Sequence, residues 1–147
     1  MPTRKQSGTQ SAASSIAKSP EQLVFFLDES IDGATMAAAL RAAGAVVERA
    51  TERFPRGTPD ETWLEEAGKL GWVVLSRDKR IRYRQLELLA LQEARVRAFV
   101  FTGGNVTMKE TAAILSGAVP RLTRIARAEK GPFIFHIGRA GKPTKMK

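Results

Sequence analysis

Three aspartates stand where apolar runs give way to polar loops or where a helix begins. Asp28 follows the run "VFFL" directly, Asp60 opens the stretch "DETWLEEAGKLG", and Asp78 comes two residues after "VVLS". A carboxylate set behind four large apolar side chains is poorly solvated unless something binds it. Carboxylates from distant segments that share one edge of a fold repel one another, and a divalent cation with oxygen ligands relieves that repulsion. Such a donor set suits Mg²⁺ or Mn²⁺, whereas zinc more often recruits His or Cys.

An ion held this way activates water and neutralises developing negative charge, chemistry that suits hydrolysis of a substrate such as a phosphodiester. Such chemistry needs no histidine, and the chain has a single one, His136. Paired-histidine ribonuclease chemistry is therefore excluded, and His136 reads as a structural residue on a strand. Arg77, Lys79, Arg80, Arg82 and Arg84 crowd around Asp78 and are placed to hold a phosphate backbone beside the ion. Arg121, Arg124, Arg127 and Lys130 recur at every third position, as a winding basic stripe or simply a solvated helix face.

The same acids have plainer roles. Asp60 and Glu61 in a first helical turn suit the helix dipole. Asp78 can pair with Arg77, Lys79 or Arg80 at the surface. Glu29 and Asp32 are loop acids that support a site or stay in solvent. Glu87 can reach the edge from a helix or pair with Arg84.

For the three aspartates to converge, the chain must alternate strand and helix. The unbroken apolar run at 22–27 and the apolar-rich stretches at 45–50, 72–76, 97–103 and 132–138 predict strands, the last one at a sheet edge. Between them, "GATMAAALRAAG" predicts a helix with Met36, Leu40 and Ala43 inward and Gly44 as its stop. Thr58, Pro59 and Glu61 fit a capping box before a helix with Trp63, Leu64, Ala67 and Leu70 on its apolar side. Residues 82–94 predict a helix with Leu86, Leu89 and Ala90 inward. Thr107 and Glu110 cap another, which Pro120 should bend or break. This order gives an α/β fold, three-layer α/β/α with a mostly parallel central sheet. Ligands of such sheets bind outside the carboxyl ends of the strands, where all three aspartates fall.

The net charge of +9 comes from 24 basic and 15 acidic residues, and its distribution is uneven. Residues 1–20 and 140–147 hold three lysines or arginines each and no acid, which leaves 18 basic against 15 acidic residues, a net of +3, between them. The organisation expected is a disordered basic tail over 1–20, one folded domain over 21–139 and a second disordered tail over 140–147. Cysteine is absent, which removes disulfides and thiol nucleophiles and fits a cytoplasmic setting. No apolar stretch approaches the roughly 20 residues of a membrane span, so no membrane partner is expected.

The stretches "FFLDES", "DETWLEEAGKLGWVVLSRD" and "KRIRYRQLE", in this order, resemble the PIN-domain nucleases. Within them the resemblance is to the ribonuclease toxins of the VapC kind found in bacterial toxin–antitoxin pairs. It covers roughly residues 22–139. It implies a metal-dependent endoribonuclease with Asp28, Asp60 and Asp78 as catalytic and metal-binding acids, RNA as substrate, a protein antitoxin as partner, and a chain able to form a homodimer. It also places Ser76 where such proteins often have a hydroxyl near the metal. Glu29, Glu61 and Glu87 would stand behind the ligands in support. The family's fourth acid, a few residues after the third, is replaced by Arg80 and Arg82, leaving Glu87 or Glu61 to substitute, a single tightly held metal, or a weakened site. Two other readings use the same residues. One is a PIN-like domain that binds RNA or protein without cutting. The other is a phosphoacceptor receiver domain with Asp78 as acceptor, Thr102 as switch hydroxyl and Lys142 as its lysine, which leaves Asp60 without a role.

Overall fold

A computed structural model describes residues 22–78 and 85–146, with the side chains of 85–87 left aside. Six strands, β1 (Val24–Leu27), β2 (Val46–Arg49), β3 (Val73–Ser76), β4 (Arg97–Phe101), β5 (Phe133–Ile137) and β6 (Pro143–Lys145), form one sheet in the order β2-β1-β3-β4-β5-β6. All neighbours are parallel except β5 and β6. The helices are α1 (Ala34–Ala42), the short α2 (Ala50–Arg53), α3 (Asp60–Leu70), α4 (Gln85–Ala94) and α5 (Met108–Ala128).

The unbroken apolar runs are explained by burial of both sheet faces. Alternate residues of each strand enter different cores. Phe25, Leu27, Val73, Leu75, Phe99 and Phe133 pack against α1 and α5. Phe26, Val74, Ala98 and Val100 face the opposite way, with Trp63, Leu64 and Leu91 from α3 and α4. Phe26 stacks on Trp72 with ring centroids 5.3 Å apart, so both tryptophans serve the core. The expected three-layer arrangement is the one found.

Several local expectations are corrected. The strand at 133–137 is interior, because Pro143–Lys145 pairs with it as an antiparallel edge. The segment 140–147 is thus not wholly a tail. A short strand containing Pro and Lys carries no apolar pattern, yet those residues suit an edge. The helix α5 runs through Pro120, with Ala118, Val119, Leu122 and Ala126 buried on both sides of it. Burial before and after the proline offsets the lost backbone bond, which typically costs about 3 kcal/mol. Thr107 and Glu110 form the capping box anticipated for this helix.

No such box opens α3. The Thr58 hydroxyl donates to Pro55 O, and the helix starts one residue later with Pro59 as N-cap. Leu70 and Leu89 are 43% and 50% exposed and Ala43 is exposed, so the inward sets drawn from spacing were too wide. In α4 the stretch "LELLALQEA" is apolar on more than one side. Its described buried residue is Leu91, one phase away from Leu89.

Candidate active site

The chain leaves β1 toward β2 and returns to pair β3 on β1's other side, so the loops after β1 and β3 diverge from adjacent strand ends. This is the switch point at which open α/β sheets form a crevice. The register pairs Leu27 with Leu75, and the Asp28 N–H donates to Leu75 O at 3.2 Å. Asp28 and Ser76 therefore meet at the top of the sheet, 4% and 0% exposed.

Ser30 joins them. Its N–H donates to Asp28 Oδ1 at 3.0 Å, and its hydroxyl donates to the same oxygen. The hydroxyl also lies 3.2 Å from Ser76 Oγ and accepts the Arg77 N–H at 2.8 Å. Ser76 Oγ in turn accepts the Asp78 N–H at 2.9 Å. Two hydroxyls thus hold the turn after β1 against the loop after β3, and fix where Asp78 begins its descent from the strand.

Burial pushes the Asp28 carboxyl up from 3.8 to about 6. The Ser30 and Ser76 hydroxyls and the Ser30 N–H oppose the rise, and the nearby charge of Asp60 adds to it. Asp60 is thus close enough to act on Asp28 across the crevice. It heads α3, and its Oδ1 accepts the Trp63 indole N–H at 2.9 Å, which ties it to the buried ring. Asp78 is half-buried at the same strand end.

The other sequence-chosen residues divide. Glu29 Oε2 accepts the Gly57 N–H at 2.8 Å and braces the loop before α3. Glu61 is exposed on α3 and lines a groove toward α4 with Glu65, Leu89 and Glu93. The Arg77 guanidinium lies 5.9 Å over the Phe101 ring, near Met108 at the start of α5. Lys79, Arg80, Arg82 and Arg84 lie outside the described residues, as does the Glu87 side chain. Asp32, read as a loop acid, is anchored: its carboxylate takes Arg49 Nε at 2.7 Å, the Thr51 N–H at 3.0 Å and the Thr51 hydroxyl. Its side chain is 1% exposed. Burial alone would raise its pKa, but the Thr51 and Arg49 bonds outweigh burial and hold it below the ordinary value. Ser30 is the residue that sequence reasoning passed over. Its signal was the Asp-x-Ser spacing, in which a side chain two residues on can bond back to the aspartate.

The donor set fits a hard divalent cation: carboxylates with serine hydroxyls, one carboxyl raised in pKa by its burial. Among the described residues, no three His, Cys, Asp or Glu side chains are gathered as a finished cation site. The charge of Asp60 is the smallest of the influences on Asp28.

A doubly wound sheet with an acidic crevice at its switch point is the class that the fold and site define. A family model described as PIN like domain matches residues 23–103, more than half of the 147 residues, and the chain belongs to that family. The "Putative ribonuclease VapC45" of Mycobacterium tuberculosis (strain ATCC 25618 / H37Rv) is 23% identical over 116 residues, spanning 76% of this chain and 83% of the relative. No solved structure matches. Among the described residues no helix is long and apolar enough to cross a membrane.

Proposed function

We propose that the chain is a divalent-metal-dependent endoribonuclease, a toxin of the VapC kind held in check by a protein antitoxin. The observation that carries the reading is Asp28: a buried carboxyl at the switch point of a PIN-like fold, raised in pKa and coupled to Asp60. Asp28, Asp60 and Asp78 would hold Mg²⁺ or Mn²⁺. Bound there, the ion supplies an activated water and charge neutralisation at the phosphate. Ser30 and Ser76 orient the Asp28 carboxylate, and the Trp63 indole does the same for Asp60. Arg77, Lys79, Arg80, Arg82 and Arg84 bind the RNA backbone near the cut. A cytoplasmic location and a homodimer belong to the same proposal.

A second reading, a PIN-like domain that binds RNA without cutting it, is favoured by the want of a gathered triad among the described residues and by Arg80 and Arg82 in place of a fourth acid. Cleavage of mixed RNA substrates by wild type, Asp28→Asn and Asp78→Asn decides between them. The nuclease reading expects cutting by wild type alone, stopped by EDTA and restored by Mn²⁺. Equal cutting by all three proteins would mean a contaminating nuclease. No cutting with any metal would favour the binding domain.

A further inference from the structure

The helices α1, α3 and α4 end in the same hydrogen-bonded closure at the amino-terminal edge of the sheet, opposite Asp28. Gly44 and Ala45 bond back to Arg41 O and Leu40 O, Gly71 and Trp72 to Gly68 O and Ala67 O, and Arg95 and Val96 to Gln92 O and Leu91 O. The closure requires one left-handed residue, at φ 97 for Gly44, 71 for Gly71 and 59 for Arg95. Glycine takes that conformation without a Cβ penalty. At the third helix an exposed arginine occupies it instead.

Other cations surround Arg95. Its Nη2 donates to Gly131 O at 3.3 Å, next to the exposed Lys130. Arg97 donates to Ala126 O at 2.6 Å and Gly71 O at 2.9 Å, which brings it beside the exposed Arg127, with Arg124 one helical turn earlier. The side chains of Arg124 and Lys130 make no hydrogen bond or ion pair among the described residues. Glu129, the acid of this segment, is engaged by Lys145 at 2.6 Å. The dipole of α5 favours cations in its last turn and accounts for Arg127 and Lys130. The α4 dipole likewise favours a cation at Arg95, but it does not call for a left-handed arginine where glycine would be relaxed.

We propose that Arg95, Arg97, Arg124, Arg127 and Lys130 form a second phosphate-binding surface for RNA, separate from the cleavage edge. The 21 residues of α5 run between the two edges, about 30 Å at 1.5 Å per residue. The choice of RNA as the polyanion rests on the ribonuclease reading. Five clustered cations, with the neighbouring acid Glu129 already engaged by Lys145, complement the closely spaced charges of a phosphate backbone.

The test is fluorescence anisotropy of a labelled single-stranded RNA binding the full chain in EDTA across a salt series. Arg124→Glu with Lys130→Glu should weaken binding about tenfold and lower the salt slope by about one for each lost contact. Arg95→Gly should weaken it about threefold while raising Tm, a pairing that a purely structural arginine would not give. Lys69→Glu, an equal charge reversal at the end of α3, should leave affinity within about twofold. An equal loss in Lys69→Glu, or unchanged affinity in both patch variants, would overturn the proposal. So would a polyglutamate peptide that binds more tightly than RNA and loses that binding in the double variant. The readout is binding without cleavage, so failure of the nuclease reading appears in the cleavage assay and failure of this surface in anisotropy alone.

Discussion

Ser30 Oγ lies 3.2 Å from Ser76 Oγ while donating to Asp28 and accepting the Arg77 N–H, so one hydroxyl holds together two segments 46 residues apart. Ser30→Ala removes all of these bonds and leaves the Arg77 N–H to find water. A loss of about 1 kcal/mol in urea unfolding is expected. The Asp28 carboxyl, short of one donor, should then titrate higher than the about 6 of the parent chain. NMR titration of the Asp28 side chain checks this, and an unchanged midpoint would contradict the geometry.

Asp28 also makes stability depend on pH. Its folded pKa of about 6 exceeds the ordinary 3.8, so between these values the folded state binds more protons than the unfolded one. Stability due to this group is full below about pH 4 and is lost as pH rises through 6, by about 3 kcal/mol if nothing neutralises the charge. Metal-free protein should therefore melt higher at pH 5 than at pH 7. Added Mn²⁺ should raise Tm more at pH 7, where the carboxylate is ionised. Chelated samples that show the reverse order would remove Asp28 as the responsible group.

The sheet was legible because the double burial of parallel strands leaves unbroken apolar runs, as in "LVFFL" and "WVVLS". Asp28 was legible for the same reason, since a carboxylate ending such a run needs a special partner. What the sequence concealed depends on pairing at a distance. Ser30 meets Ser76 only because Leu27 is in register with Leu75. Asp32 becomes buried only because Arg49 leaves β2 beside it. The edge strand Pro143–Lys145 has no apolar residue to announce it, and takes its place by hydrogen bonding to β5. Thr58 had the spacing of a capping residue, but the turn through Pro55 claimed its hydroxyl first.

Asp32 gives a prediction of stability without chemistry. Its carboxylate receives Arg49, the Thr51 N–H and the Thr51 hydroxyl, and fastens the loop after β1 to the end of β2. Asp32→Ala leaves those donors unmatched and should cost about 2 kcal/mol. Because the hydrogen bonds hold its pKa below 3.8, this contribution is present above that pH and is lost as pH falls through the depressed value. Denaturation of the variant should thus lose part of the parent's acid sensitivity. RNA cleavage per folded molecule should change little, and a large drop would place Asp32 in the site itself.

Asp60 separates charge from architecture. The Trp63 indole N–H needs an acceptor at Asp60 Oδ1, which asparagine still provides, so Asp60→Asn should keep the unfolding free energy within about 0.5 kcal/mol of the parent. The lost charge is the one that adds to the raised pKa of Asp28, so Asp28 should titrate lower in the variant. Cleavage should nevertheless fall by at least about 100-fold, because a ligand for the cation has lost its charge. Single-turnover cleavage, read beside NMR titration of Asp28, tests both arms. A lower Asp28 pKa with full cleavage would keep the electrostatic coupling and remove Asp60 from the metal site.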